Sequence, residues 1–365
     1  MAYKALYRTY RPQTFEEVAG QKHIIRTLKN ALATNKIAHA YLFCGPRGTG
    51  KTTMAKLFAK ALNCEEGLGH QCNHCSNCLE IIEGSHPDVI EIDAASNNGV
   101  EQVRELIDTV NYLSIKGKKK VYIIDEVHMM TTNAFNALLK TLEEPPEHVI
   151  FILATTEKHK ILPTILSRCQ IFDFNRIQVD DITNHLANVA GKEGITIEKD
   201  ALNVIATKSA GGLRDALSIF DQIVSFSGKN VTYKDAIDNL NVLDYEYFFK
   251  LTDAFLVSDY TTALLTFDEI LNKGFDEKNF LSGLSSHFRD LFVCKSPNST
   301  RLLEVSTSAQ QRYLQQTAKC SAEFLFTALE VLQKAEDRYR ESNNKRLLVE
   351  LTLLQLCNIL KKKLM

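Results

Sequence analysis

The sequence predicts an α/β domain followed by all-α domains, and three observations carry that reading. Short apolar runs alternate with amphipathic helical patterns through the first half: YLFC before TTMAKLFAKAL, DVIEID before VEQVRELIDTV, KKVYIID before TNAFNALLKTL, and HVIFILAT before PTILSR. Such β-then-α alternation specifies a parallel sheet with helices on its faces. A glycine-rich loop joins the first strand to its helix. After about residue 177 the β-rich runs stop and only helical patterns follow. The expected domains are residues 1–177, a small helical domain over 178–242, and a helical bundle over 243–365. GKEGIT, AGGLRD and SGKN mark the loops of the second, and KSPNSTRLL a loop of the third.

At 365 residues the chain is too long for one ordinary core. A net charge of −1 announces no nucleic-acid partner, so any such contact must come from local patches. The basic runs KGKKK at 116–120 and KKK at 361–363 read as solvated charge. The longest apolar runs, such as VIFILA, are too short to cross a bilayer. MAYKALYRTYRP is basic but has no apolar centre, so it is not a secretory signal, and a cytoplasmic location is expected. The nine cysteines, an odd number in a chain without an export signal, argue against a disulfide framework.

The loop Gly45-Pro46-Arg47-Gly48-Thr49-Gly50-Lys51-Thr52 fits G-x-x-x-x-G-K-[ST], with a strand before it and a helix after it, and Thr53 is counted with it among the nucleotide-binding residues. Glycines let backbone N–H groups turn toward phosphate oxygens, and the helix N-terminus adds partial positive charge. Lys51 suits the β- and γ-phosphates of ATP, and Thr52 suits Mg²⁺. VYIIDE ends a buried-looking strand on Asp125 and Glu126; the first suits a magnesium carboxylate and the second a base for an attacking water. Thr155, at the end of FILAT, is placed to sense the γ-phosphate. His128 reads as a bystander, and Arg168 and Arg214 as arginines whose spacing alone assigns no role.

Within CEEGLGHQCNHCSNC, residues 64–78, Cys64, Cys72, Cys75 and Cys78 form a tetrahedral Zn²⁺ set with no open position, hence a staple rather than a catalytic metal. The module, about residues 64–83, is an insertion at the end of the helix after the phosphate loop. Leu68 is the only large apolar residue between the outer cysteines, so the metal supplies the missing folding energy. His70 or His74 could replace a sulfur. Cys44 and Cys169 read as buried fillers.

YRPQTFEEVAGQ, GPRGTGKT, IIDEVH, NALLKTLEEPP, LATTE, LSRCQ and LRDALS occur in that order. Together they resemble the gamma/tau family of bacterial DNA polymerase III, the clamp-loader ATPases of the AAA+ class. The resemblance covers the whole chain. It implies an AAA+ P-loop domain, a helical lid and a C-terminal helical collar that holds a hetero-oligomeric ring. It implies Thr155 as first sensor, Arg214 as second sensor, and Arg168 as an arginine finger acting on a neighbouring subunit's ATP. Arg11, Pro12 and Val18 are similar to positions lining the adenine pocket, and the zinc knot is shared. Implied partners are delta and delta-prime type subunits, further gamma/tau copies, the sliding clamp and primed DNA, at the nucleoid and not at a membrane. The loop DAASNNGVEQVR resembles the segment facing the DNA chamber, yet carries only Arg104 as a base; Lys140 is a further candidate. Two other readings are a non-catalytic stator of the delta-prime type and an AAA+ helicase motor. The intact phosphate loop argues against the first, and the Cys₄ insertion with an all-helical end against the second. Nothing in the chain supports polymerase chemistry of its own.

Overall fold

The computed structural model describes residues 5–303, 305 and 307–361. Lys362 and Lys363 of the C-terminal basic run lie outside them. Among the described residues the chain forms two compact units. One runs to Glu193 and adds Lys208–Gln222; the other takes Gly194–Thr207 and continues from Ile223.

The first unit is built on a five-stranded sheet: β1 (Ala40–Cys44), β2 (Val89–Asp93), β3 (Lys120–Asp125), β4 (Val149–Thr155) and β5 (Gln170–Asp173), in the order β2-β3-β4-β1-β5. Every pairing is parallel. The central strands are buried on both faces, which is why they read as continuous apolar runs. Tyr41, Phe43, Ile123 and Ile152 face a core shared with α2 (Lys22–Ala33) and α3 (Lys51–Asn63). Leu42, Ile124 and Leu153 face the opposite core, with α5 (Val100–Val110) and α6 (Thr132–Glu143). This unit also holds α1 (Leu6–Thr9), α4 (Ser76–Glu83), called αZ below, α7 (Pro163–Leu166), α8 (Val179–Glu193) and the start of the helix Leu213–Ser227. Parallel register brings Cys44 beside Thr155 and Asp173, and Asp93 beside Asp125. The carboxyl ends of all five strands therefore open on one edge, where such sheets bind ligands.

β5 was not among the expected strands. Gln170, Ile171 and Asp173 are exposed on this edge strand and only Phe172 is buried, so QIFD lacks the apolar signature of its neighbours. The helical segment 178–242 also carries one small ladder. Thr196–Ile197 and Asn230–Val231 pair as a two-residue parallel ladder in the second unit, too short to show periodicity. In KSPNSTRLL, residues Pro297–Leu302 form a 3₁₀ helix rather than an open loop.

The second unit is otherwise helical. Its core gathers Phe255, Phe267, Phe280, Phe288, Phe324 and Leu353 from the helices after residue 244. His287 lies at the centre, between the Tyr313 hydroxyl at 3.1 Å and Gln316 Oε1 at 3.2 Å. Burial pushes its pKa down to about 3, so it is a neutral core group.

The basic run 116–120 is more constrained than solvated charge. Lys120 is buried in β3 and donates to the Thr109 carbonyl at 2.9 Å; Lys119 Nζ reaches the Glu147 carbonyl at 2.7 Å; Lys116 pairs with Glu80. Beneath this turn Asp88, fully buried, accepts the amides of Ile115 (2.8 Å), Lys116 (2.7 Å) and Gly117 (2.7 Å). Burial opposes ionisation of Asp88, but the three amides outweigh it and hold its pKa below the ordinary carboxyl value. Its stabilisation is fully present above the unfolded value of about 3.9 and is lost as pH falls through the lower folded value. Asp88→Ala strands three buried donors. We predict a loss of about 3 kcal/mol or more from the first urea transition at pH 7, with a smaller difference from wild type at pH 3.

Candidate functional site

The site is assembled where β1 passes into α3. Gly45 has φ 148°, and a Cβ there would lie 2.4 Å from the Phe174 carbonyl oxygen, so only glycine lets the chain turn out of the sheet past β5. Gly50, at φ 97°, caps α3. Between them the Thr49 hydroxyl donates to the Pro46 carbonyl at 2.9 Å and closes the loop on itself; Arg47 is exposed. The first residues of α3 are Lys51, Thr52 and Thr53, so their backbone N–H groups are free of helical partners and directed at the loop. Lys51 is 6% exposed and donates to the carbonyls of Gly45 (2.8 Å) and Pro46 (2.9 Å). Burial lowers its pKa, while Glu126 and Asp125 act in the opposite direction.

Thr52 and Asp125 meet directly: the hydroxyl donates to Asp125 Oδ2 at 2.6 Å. A hydroxyl and a carboxylate in contact at a helix N-terminus are hard oxygen donors, the chemistry that suits Mg²⁺ beside phosphates. Glu126 follows in the left-handed region, φ 47°, which turns its side chain away from the strand direction. Its Oε2 accepts from the Thr156 amide at 3.3 Å and the Thr156 hydroxyl at 3.0 Å. Thr155 is fully buried; its hydroxyl accepts the Glu157 amide at 3.0 Å and lies 3.1 Å from His128 Nδ1.

His128 sits in contact with these residues. Its ring bridges Thr155, Glu126 (Nδ1 to Oε2, 3.4 Å) and Glu157 (Nε2 to Oε2, 3.0 Å). Sequence reasoning missed His128, Thr156 and Glu157 as a set because they come from two strand ends that only the β3–β4 pairing brings together.

Arg11 Nε donates to the Thr53 hydroxyl at 3.1 Å, tying the N-terminal segment to α3. Pro12 and Val18 are half-buried, Val18 against the core that holds Tyr41 and Met54. Arg214 is exposed on the helix Leu213–Ser227, its guanidinium 5.1 Å from the centroid of the Tyr7 ring. That helix starts against the phosphate loop: the Leu213 amide donates to the Gly48 carbonyl at 3.0 Å, and a Cβ on Gly48 would lie 3.1 Å from Gly212 Cα. Arg168 stands apart. Among the described residues its partners are Thr164, Ser167 and Glu143, none of them in the phosphate loop. Arg104 and Lys140 are exposed on α5 and α6. Cys44 and Cys169 have their thiols pushed up by burial, to about 11 and about 12.

The four sulfurs of Cys64, Cys72, Cys75 and Cys78 lie within 4.8 Å of one another, with Cys72 and Cys78 at 3.9 Å. Tetrahedral zinc with bonds of about 2.3 Å requires sulfurs roughly 3.8 Å apart, so the residues fit the ion. The Cys75 amide points at Cys72 Sγ (3.3 Å) and the Cys78 amide at Cys75 Sγ (3.4 Å), as donors to thiolates do. His74 is occupied otherwise, by the Cys72 carbonyl and Glu66.

A parallel sheet, a phosphate loop, paired acids on the adjacent strand end and a helical segment closing on the loop define a P-loop nucleotide site of the AAA+ class. Family comparisons sharpen this. Residues 20–178 match the model for DNA polymerase III, delta subunit; residues 181–229 match the ATPase lid domain of the DNA polymerase III clamp loader subunit; residues 231–364 match domain III of DNA polymerase III subunits gamma and tau. The chain is 38% identical to the gamma subunit of Buchnera aphidicola subsp. Baizongia pistaciae, covering 98% of each. It is 45% identical to the tau subunit of Bacillus subtilis over 98% of this chain and 64% of that one. Identity to the Escherichia coli tau subunit is 44%, over 76% of this chain and 43% of that one. The chain thus spans less than two thirds of the two tau relatives. Among solved structures, the Thermotoga maritima RuvB Holliday junction branch migration motor matches with a TM-score of 0.48 and 19% identity over 68% of this chain and 79% of that one, too loosely to bear on function. The chain belongs to the gamma/tau subunit family of DNA polymerase III. Among the described residues, no helix is long and apolar enough to cross a membrane.

We predict that the purified chain carries one zinc by elemental analysis. Cys78→Ser, which removes a buried ligand, should abolish that zinc and lower the thermal midpoint by several degrees.

Proposed function

We propose that the chain is the ATP-driven motor subunit of a clamp loader, hydrolysing ATP to place a sliding clamp on primed DNA. The Thr52–Asp125 contact at 2.6 Å carries the reading, because it joins the phosphate loop to the acidic strand end in one site. Lys51 leaves the Gly45 and Pro46 carbonyls to meet the β- and γ-phosphates. Its burial makes an unpaired ammonium costly and a phosphate partner correspondingly favourable. Thr52 and Asp125 would hold Mg²⁺, which would supply charge neutralisation to the bound phosphates. Glu126 exchanges its Thr156 hydrogen bonds for an attacking water and accepts that water's proton, and Thr155 orients the same water. Arg11, Pro12 and Val18 border the base, and Arg214 leaves the Tyr7 ring for the nucleotide.

Arg168 acts in this account on the ATP of a neighbouring subunit. Among the described residues its one anionic partner, Glu143, is an exposed surface carboxylate, and such pairs are worth little and are readily exchanged for a phosphate. The remaining subunits, of delta, delta-prime and gamma/tau type, complete the ring through the helical C-terminal domain. Removal of the γ-phosphate breaks the intersubunit contact and releases the clamp closed on DNA. The clamp contact is assigned to the turn after α5. Tyr112, Leu113 and Ile115 are 67%, 75% and 79% exposed there, and the Asp88 hydrogen bonds order the turn in advance.

Steady-state hydrolysis tests the motor reading. The chain alone should be slow. Partner subunits, clamp and primed DNA should stimulate it, and Arg168→Ala should lower the assembled rate about 10³-fold or more with ATP binding intact. A lone chain at full rate, indifferent to Arg168, would overturn it. Leu113→Glu should weaken clamp binding at least about tenfold while ATP affinity stays unchanged.

A further inference from the structure

Among the described residues no hydrogen bond joins the Cys₄ module to the phosphate loop, so its neighbours define what it can do. Its helix αZ carries Asn77, directly before the ligand Cys78, and α3 ends on Asn63, directly before the ligand Cys64. The two asparagines meet: Asn77 Nδ2 donates to the Asn63 carbonyl at 2.8 Å, both side chains being 5% exposed or less. Asn63 then reaches across to the turn after α5 with both ends of its amide. Its Nδ2 donates to the Lys119 carbonyl at 2.9 Å, and its Oδ1 accepts the Lys119 amide at 2.8 Å. The fit leaves no slack. A Cβ on Gly117 would lie 2.7 Å from Asn63 Oδ1. A second strut runs from Glu80 on αZ to Lys116.

We propose that the Cys₄ module is the brace of the turn 112–119, so that metal at the four cysteines fixes the position of Tyr112, Leu113 and Ile115. The inference rests on zinc occupying the cysteines. Tetrahedral ligation fixes Cys64 and Cys78 relative to each other, and the residue before each of them carries the link onward. The paired bonds of Asn63 to Lys119 copy a sheet-like pairing, and they hold only while Asn77 keeps the end of α3 in place. The Asp88 nest fixes the middle of the turn, and the zinc module fixes its return into β3.

Hydrogen exchange on the full chain tests this, with zinc content measured alongside. Removing the metal with a strong zinc chelator should speed exchange of the Lys119 amide, and of the 112–119 segment that contains it, roughly tenfold, while the amides of β1 and β4 keep their protection. Asn77→Ala keeps all four ligands; it should retain one zinc yet show the same local acceleration. Chelation reaches the same release without a substitution, so a poorly folding variant does not decide the matter. If the segment keeps its wild-type protection both in the zinc-free chain and in zinc-loaded Asn77→Ala, the brace is wrong. If no zinc is found in the wild-type chain and the segment is nonetheless fully protected, both the metal reading and the brace fall.

Discussion

The bond between Thr52 and Asp125 is the constraint on which the nucleotide site depends. It joins the first turn of α3 to the end of β3, and these elements are not adjacent through β1, because β4 lies between the two strands. For the two oxygens to meet, β1 must release the chain at Gly45, where the Phe174 carbonyl leaves no room for a Cβ. β3 must end at Asp125, where Glu126 takes up a left-handed backbone. A glycine on one side and a strained glutamate on the other thus set one oxygen–oxygen contact. Strain of about 1–3 kcal/mol at a non-glycine left-handed residue persists only where the surroundings enforce it.

Around this contact the polar groups are paired in a way that suits exchange. Lys51 lies on carbonyls of its own loop, Glu126 on Thr156, Arg214 on the Tyr7 ring, and Arg168 on Glu143. The cations Lys51, Arg214 and Arg168 have carbonyl, ring and carboxylate partners that, under the proposed function, a phosphate would replace with charge-assisted hydrogen bonds. Beside them Thr155 and His128 bond each other and Glu157, and His128 also reaches Glu126, so the two strand ends form one polar cluster.

Much of this was legible in the residues. The loop 45–52 carries its glycines at fixed spacing because backbone approach to phosphate tolerates nothing larger, and the four cysteines are spaced as tetrahedral ligands require. The alternation of short apolar runs with helical patterns announced a parallel sheet. What escaped the reading has a common physical cause. β5 hides because an edge strand buries one residue of four. His128 acquires its partners only when β3 and β4 pair. Lys120 looks like surface charge in KGKKK, yet it is buried because the Thr109 carbonyl waits for its ammonium. Asn63 and Asn77 look like filler beside cysteines, and their role appears only with the α3–αZ packing. Period and spacing report what one element does alone; contacts between elements more than about ten residues apart leave little trace in either.

The most direct test of the central claim is a calorimetric titration of Mg·ATP into the isolated chain, with Lys51→Ala and Thr52→Ala in parallel. The account predicts one saturable site per chain, lost or weakened at least about a hundredfold in Lys51→Ala, with the magnesium dependence of binding abolished in Thr52→Ala. Equal affinity in all three proteins, or no binding to the parent chain, would contradict it.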